Sequence, residues 1–125
     1  NIERIADAGW ENDFFMNCFH YITRPSDQPD WEPAKKTFGK AFYHSDPETM
    51  TRVMRQVEKP CLGFKILAAG RAGFSKAGVE EAFRYAFSHI KPTDGVIVGM
   101  YPRFKDEIGE NARLTRTYAS AEALS

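Results

Sequence analysis

Apolar positions along the 125-residue chain change their period several times. Ile2, Ile5 and Ala6 share one helical face that stops at Gly9, a residue suited to ending a helix. Residues 13–22, DFFMNCFHYI, are nearly all apolar or aromatic, which predicts a strand covered on both faces. From Arg24 onward the pattern turns polar, punctuated by Pro25, Pro29 and Pro33. This predicts a long βα loop over about residues 24–45, with a short helix near Lys35. Ser45 or Asp46 then caps a helix with Pro47 and Glu48 in its first turn, and Met50, Val53, Met54 and Val57 form its buried stripe. Residues 61–68, CLGFKILA, predict a second strand. Ser75 caps a third helix, whose Val79, Ala82, Phe83, Ala86, Phe87 and Ile90 make the strongest amphipathic pattern in the chain. After the KPTD turn, residues 95–101 predict a third strand. KDEIGENARLTRTYA predicts a last helix with a weak apolar face around Ile108 and Ala112.

The order α, β, α, β, α, β, α implies parallel pairing through right-handed crossovers, hence an α/β fold in one domain spanning residues 1–125. Three parallel strands leave two open edges and a face that the helices do not cover. Further strands are therefore expected, from missing chain or from a partner copy, and self-association through the open edges is a corollary.

Composition narrows the function class. Seventeen basic and seventeen acidic side chains cancel, so no global field draws the chain to nucleic acid or to an anionic membrane. No apolar run reaches the roughly 18 residues of a spanning helix, and NIERIADAGW lacks the features of a secretory leader. The cytoplasm is the default expectation, and the residue before Asn1 is expected to belong to the natural product. Cys18 and Cys61 lie in apolar segments, the setting of free thiols and not of a disulfide framework.

AFRYAFSHIKPTDGVIVGMYPRFKDEIGENARL resembles the last helix-strand-helix unit of the aldo-keto reductase family of (β/α)8 barrels. There a segment of the form RYALSHPGVTSVIVGM leads into a helix carrying Glu-Asn. PCLGFKILAAGR resembles the seventh strand of the branch reading VIAMKPLAGG, and DFFMNCFHYITR resembles the sixth strand with its following Arg. NIERIADAGW corresponds to the helix before it. The resemblance implies the C-terminal portion of a (β/α)8 TIM barrel, strands six to eight. Its parent would be a nicotinamide-dependent oxidoreductase, using NADP or NAD, that acts on a small-molecule carbonyl substrate.

It further implies cofactor-binding roles for seven residues. Phe64 would lie against the nicotinamide and Asn17 would hold its carboxamide. Lys65, Gly70 and Arg71 would border the pyrophosphate turn, and Glu110 and Asn111 would lie on the adenine side. The small residues Ala68, Ala69, Gly70 and Gly73 would let backbone amides approach phosphate oxygens. The family's Asp, Tyr, Lys and His tetrad belongs to strands one to four, so this chain holds no catalytic residue of that reaction. The element that grips a 2′-phosphate in the family aligns with Tyr101, Pro102 and Glu107, a departure from its basic pattern.

Other readings compete. Lys65, desolvated within a strand, suits a Schiff-base aldolase, or a structural ion pair. Arg71 suits a phosphate or a loop salt bridge. A non-catalytic assembly, in which two half-barrels complete one sheet, is the alternative of a different class. His20, His44 and His89 have no metal-ligand spacing, so no metal site is expected. Trp31, Phe38, Phe42 and Tyr43 are candidates for a substrate-pocket lid or for a plain cover. Glu11, Asp13 and Asp94, at strand starts, are given no chemistry.

Overall fold

A computed structural model describes residues 1–20, 45–68 and 75–120. The expected long loop, its short helix, its aromatic residues and most of the small-residue turn lie outside these. Seven elements follow in the anticipated order: α1 (Ile2–Asp7), β1 (Phe15–Cys18), α2 (Asp46–Gln56), β2 (Cys61–Phe64), α3 (Lys76–His89), β3 (Gly95–Ile97) and α4 (Glu107–Tyr118). The sheet order is β1-β2-β3 and both pairs are parallel.

Local chemistry sets the helix boundaries. Gly9, at φ 68°, closes α1, its amide donating to Ala6 and that of Trp10 to Ile5, so two terminal carbonyls are satisfied. Ser75 Oγ accepts from the Gly78 amide at 3.0 Å and starts α3 as expected. Ser45 holds the cap position of α2, but its side chain makes no capping bond, and Asp46 is fully buried in the first turn instead. Asp106 caps α4 through the Gly109 amide at 2.9 Å.

The strands are shorter than their apolar runs. Burial alternates along β1: Phe15, Asn17 and Phe19 are enclosed, whereas Phe14 and Met16 are half exposed, at 49% and 54%. This corrects the expectation of strands covered on both faces. The strand order explains it, because each right-handed crossover moves one strand along the sheet in the same direction and lays its helix on the same side. Helices pack on their chain neighbours, α1 on α2, α2 on α3 and α3 on α4. The opposite face presents Met16, half-buried Leu62 and Phe64, and Ile97.

Between sheet and helices lies the core of Phe15, Phe19, Met54, Cys61, Phe83 and Phe87 with its smaller neighbours. Each fully enclosed side chain of this size contributes about 1.5–3 kcal/mol. Gly63 faces the same layer, paired with Asn17, and a Cβ there would collide with the Phe19 ring. The glycine is therefore the complement of a fully buried aromatic. Tyr118 Oη donates to Glu80 at 2.8 Å and ties α4 to α3. Arg55 reaches the His89 carbonyl at 2.7 Å and ties α2 to the end of α3.

The amino end of the sheet is held by two lysines and a buried carboxylate. Asp94 accepts from the Cys61 amide at 2.8 Å and the Lys91 amide at 3.0 Å, and pairs with Lys91 Nζ at 2.9 Å. Lys91 Nζ also donates to the Met54 carbonyl in the last turn of α2. Lys59 Nζ bridges the Trp10 carbonyl and Asn12 Oδ1.

Two stability outcomes follow from these contacts. Asp94→Ala leaves the Cys61 amide and Lys91 uncompensated, and should cost about 3 kcal/mol in urea denaturation. Asp94→Asn, which keeps an acceptor, should cost less. Gly63→Ala should cost about 2 kcal/mol through displacement of Phe19. A midpoint unchanged for Asp94→Ala would show that the clamp contributes nothing.

Candidate functional site

The carboxyl ends of β2 and β3 are built differently from the amino ends. β2 stops at Phe64, because Lys65 adopts a left-handed backbone at φ 58°. Ala68, at φ 50°, repeats that conformation three residues on. The strand expected over residues 61–68 is thus half strand and half turn. Lys65 sits outside the sheet, not in the middle of it.

Two bonds from the end of β1 hold this turn. The Phe19 amide donates to the Phe64 carbonyl at 2.9 Å, and His20 Nδ1 lies 2.9 Å from the Lys65 carbonyl. A carbonyl only accepts, so Nδ1 carries the proton in this contact. The Ala68 amide donates to the same oxygen at 2.9 Å. His20 is in this way a backbone clamp.

Between the turn and the first turn of α4 lies a cavity of about 570 Å³. Phe64 lines it from the end of β2 and Lys65 from the turn that follows, Val98 and Tyr101 from beyond the end of β3, and Glu107 and Asn111 from α4. The size falls in the range of small-molecule pockets, and the location is where open parallel sheets bind ligands. Lys65 Nζ stands 6.0 Å from the Phe64 ring centroid. Lys105 also lines the cavity, but its ammonium is held by Glu110 at 3.2 Å. Glu107 turns one carboxylate oxygen to the Tyr101 amide at 2.6 Å and so fixes the strand-to-helix connection.

Of the seven residues expected to bind cofactor, three meet here: Phe64, Lys65 and Asn111. Glu110 is engaged with Lys105 beside Arg113 and Lys76, in a crevice toward α3. Gly70 and Arg71 lie outside the described residues. Asn17 points the other way, into the helix layer. It is fully buried, its amide nitrogen is 3.5 Å from Met50 Sδ, and its Oδ1 has no hydrogen-bond partner among the described residues. The alternation of the strand dictates this, since Asn17 shares a face with Phe15 and Phe19.

An ammonium, an amide, a carboxylate and an aromatic ring thus form one set of groups around this cavity. Asn17 does not belong to that set. Among the described residues no group of three His, Cys, Asp or Glu side chains is placed to hold a metal ion, and no helix is long and apolar enough to cross a membrane.

Neither cysteine is bonded to the other. Cys18 is half-buried on the open face and donates to the His20 carbonyl at 3.0 Å, while Cys61 is buried toward the helices. Burial pushes both thiols above the ordinary range, against the opposing pull of Lys65 at Cys18 and of Lys91 at Cys61.

Comparison with protein-family models, curated proteins and solved structures finds no match to this chain.

Two outcomes check this geometry. A left-handed backbone costs a side-chain-bearing residue about 1 kcal/mol relative to glycine. Lys65→Gly should therefore unfold at higher denaturant than Lys65→Ala, by about that amount, although both remove the same ammonium. The raised thiols set an alkaline limit. Below the ordinary thiol range both states are protonated and nothing is lost; above it the unfolded chain ionises first, so stability falls as pH rises toward the folded value. Cys61→Ala should reduce that alkaline decline, measured as the shift in urea midpoint between neutral and alkaline buffer.

Proposed function

We propose that this chain is the cofactor-side portion of an aldo-keto reductase-like (β/α)8 barrel, binding a nicotinamide dinucleotide at the carboxyl ends of its strands. The observation that carries the reading is the cavity that gathers Phe64, Lys65 and Asn111 where two parallel strands end. The uniform direction of the crossovers supports the barrel, because helices on one face and apolar side chains on the other are the two layers of a (β/α) barrel wall. The parent would reduce or oxidise a small carbonyl compound, with the proton-transfer residues on strands outside this chain.

In this reading the nicotinamide supplies hydride chemistry, and the chain's own residues bind and orient. Lys65 offers charge to a phosphate oxygen, Asn111 offers an amide, and Phe64 gives an apolar wall at the end of β2. The Schiff-base alternative at Lys65 has less support: the lysine is half-buried in a turn beyond the strand, short of the desolvation that this chemistry uses.

Titration calorimetry with NAD⁺ and NADP⁺ tests the proposal. Saturable one-site binding is expected, with Lys65→Ala and Asn111→Ala each weakening it about tenfold while circular dichroism stays unchanged. Absence of saturable binding at millimolar nucleotide would sink it.

The uncovered face, with Met16 at 54% and Ile97 at 41% exposure, favours a second reading in which two copies of the chain meet through their sheets as a non-catalytic assembly. Solution mass separates the two. A compact dimer without nucleotide affinity supports the assembly; a monomer that binds nucleotide supports the oxidoreductase.

A further inference from the structure

Exposed apolar surface is confined to the two ends of the sheet order. Among the described residues eight large hydrophobic side chains are exposed. Trp10, Phe14 and Met16 precede or lie on β1, and the other five fall between Ile97 and Ile108, on β3 and its connection to α4. None lies on α2, β2 or α3. The outer edges of β1 and β3 have no strand partner among the described residues, and the run GVIVGMY at β3 holds no charge or proline to discourage one. Beside that edge a groove of about 400 Å³ opens between β3 and α4, with Phe87, Gly95, Val96, Ile108, Ala112 and Thr115 in its walls.

The two edges also differ in charge. Residues 1–14 expose four acids, Glu3, Asp7, Glu11 and Asp13, and one base, Arg4. Residues 101–120 hold four bases and three acids, and two of those acids are engaged, Glu107 by the Tyr101 amide and Glu110 by Lys105. Pairing two β1 edges would set carboxylates against carboxylates, whereas pairing unlike edges sets acids against bases. A parallel continuation of the sheet also brings the amino ends side by side. Arg116, in the last turn of α4, then falls beside Asp7, Glu11 and Asp13 of a second copy, whose Trp10 meets the Phe87, Gly95 and Thr115 end of the groove. The open face alone is too small to hold a partner. Strands of four, four and three residues make a face of about 170 Å² at strand spacings of ~4.8 Å and rises of ~3.3 Å, against roughly 800 Å² per partner in a standard interface.

We infer that the β3 edge and its groove are the docking site for the β1 edge of a second copy of this chain, which extends the sheet in parallel, head to tail. The inference rests on the assembly reading above and adds to it which surfaces meet. Because the contact joins unlike surfaces, it closes into a ring or grows in one direction.

Analytical ultracentrifugation of the 125-residue chain and two variants tests it, at about 100 μM, where a contact of micromolar dissociation constant is populated. The unaltered chain should sediment as two or more copies. Trp10→Lys blocks the β1 edge and Ile108→Lys the β3 edge. Both positions are exposed, at 61% and 55%, so each variant should keep the circular dichroism of the unaltered chain. Each alone should be monomeric, and an equimolar mixture should form a one-to-one complex, because each supplies the edge that the other lacks. Self-association of either variant to the extent of the unaltered chain overturns the head-to-tail contact and leaves the assembly reading in place. A mixture that stays monomeric overturns it likewise. A monomeric unaltered chain overturns the inference and the assembly reading together.

Discussion

The buried carboxylate of Asp94 is the constraint on which the arrangement of this sheet depends. It receives the first amide of β2 and the amide that opens the α3–β3 turn, and it neutralises Lys91, which in turn grips the end of α2. The end of α2, the start of β2 and the α3–β3 turn are thereby fixed at one point. With the amino ends of the strands secured, their carboxyl ends carry the left-handed turn residues and the cavity. That division between a fastened end and a functional end is characteristic of parallel α/β architecture.

The element order was legible because the periods were distinct. The stripe from Val79 to Ile90, the Ser75 cap and the Gly9 terminus are local signals, and local chemistry decides them. Strand lengths were not legible, since an apolar run does not reveal where the backbone turns left-handed. CLGFKILA reads as eight continuous strand residues, yet β2 ends at Phe64 because the following lysine takes φ 58°. Nor does an apolar run say which face a helix will cover; that is set by crossover direction, a property of the whole topology.

The candidate site was partly legible for the same reason. Phe64 and Lys65 are adjacent in sequence and Asn111 lies in the first turns of a recognisable helix, so their meeting needs only parallel strands of the observed order. Asn17 was misplaced because one residue of alternation decides between the cavity side and the core side. Asp94 was placed at a strand start and given no chemistry. Its signal was present in the spacing Lys91-Pro92-Thr93-Asp94, an acid three residues after a lysine at a strand start, where a side chain can close the turn upon itself. The Glu107 bond to Tyr101 left a similar trace, an acid at the first position of a helix shortly after a strand. Which backbone amide it would meet was not readable.

Among the described residues the principal contacts between helices run between neighbours in the chain, and the sheet order follows the same succession. Such an arrangement grows by accretion. Each βα unit is added against the one before it and demands nothing of units further away, so there is no topological barrier to lengthening the array at the outer margin of β1 or of β3. A gene encoding such a chain could be trimmed or extended by whole units, and the surviving part would keep its internal register.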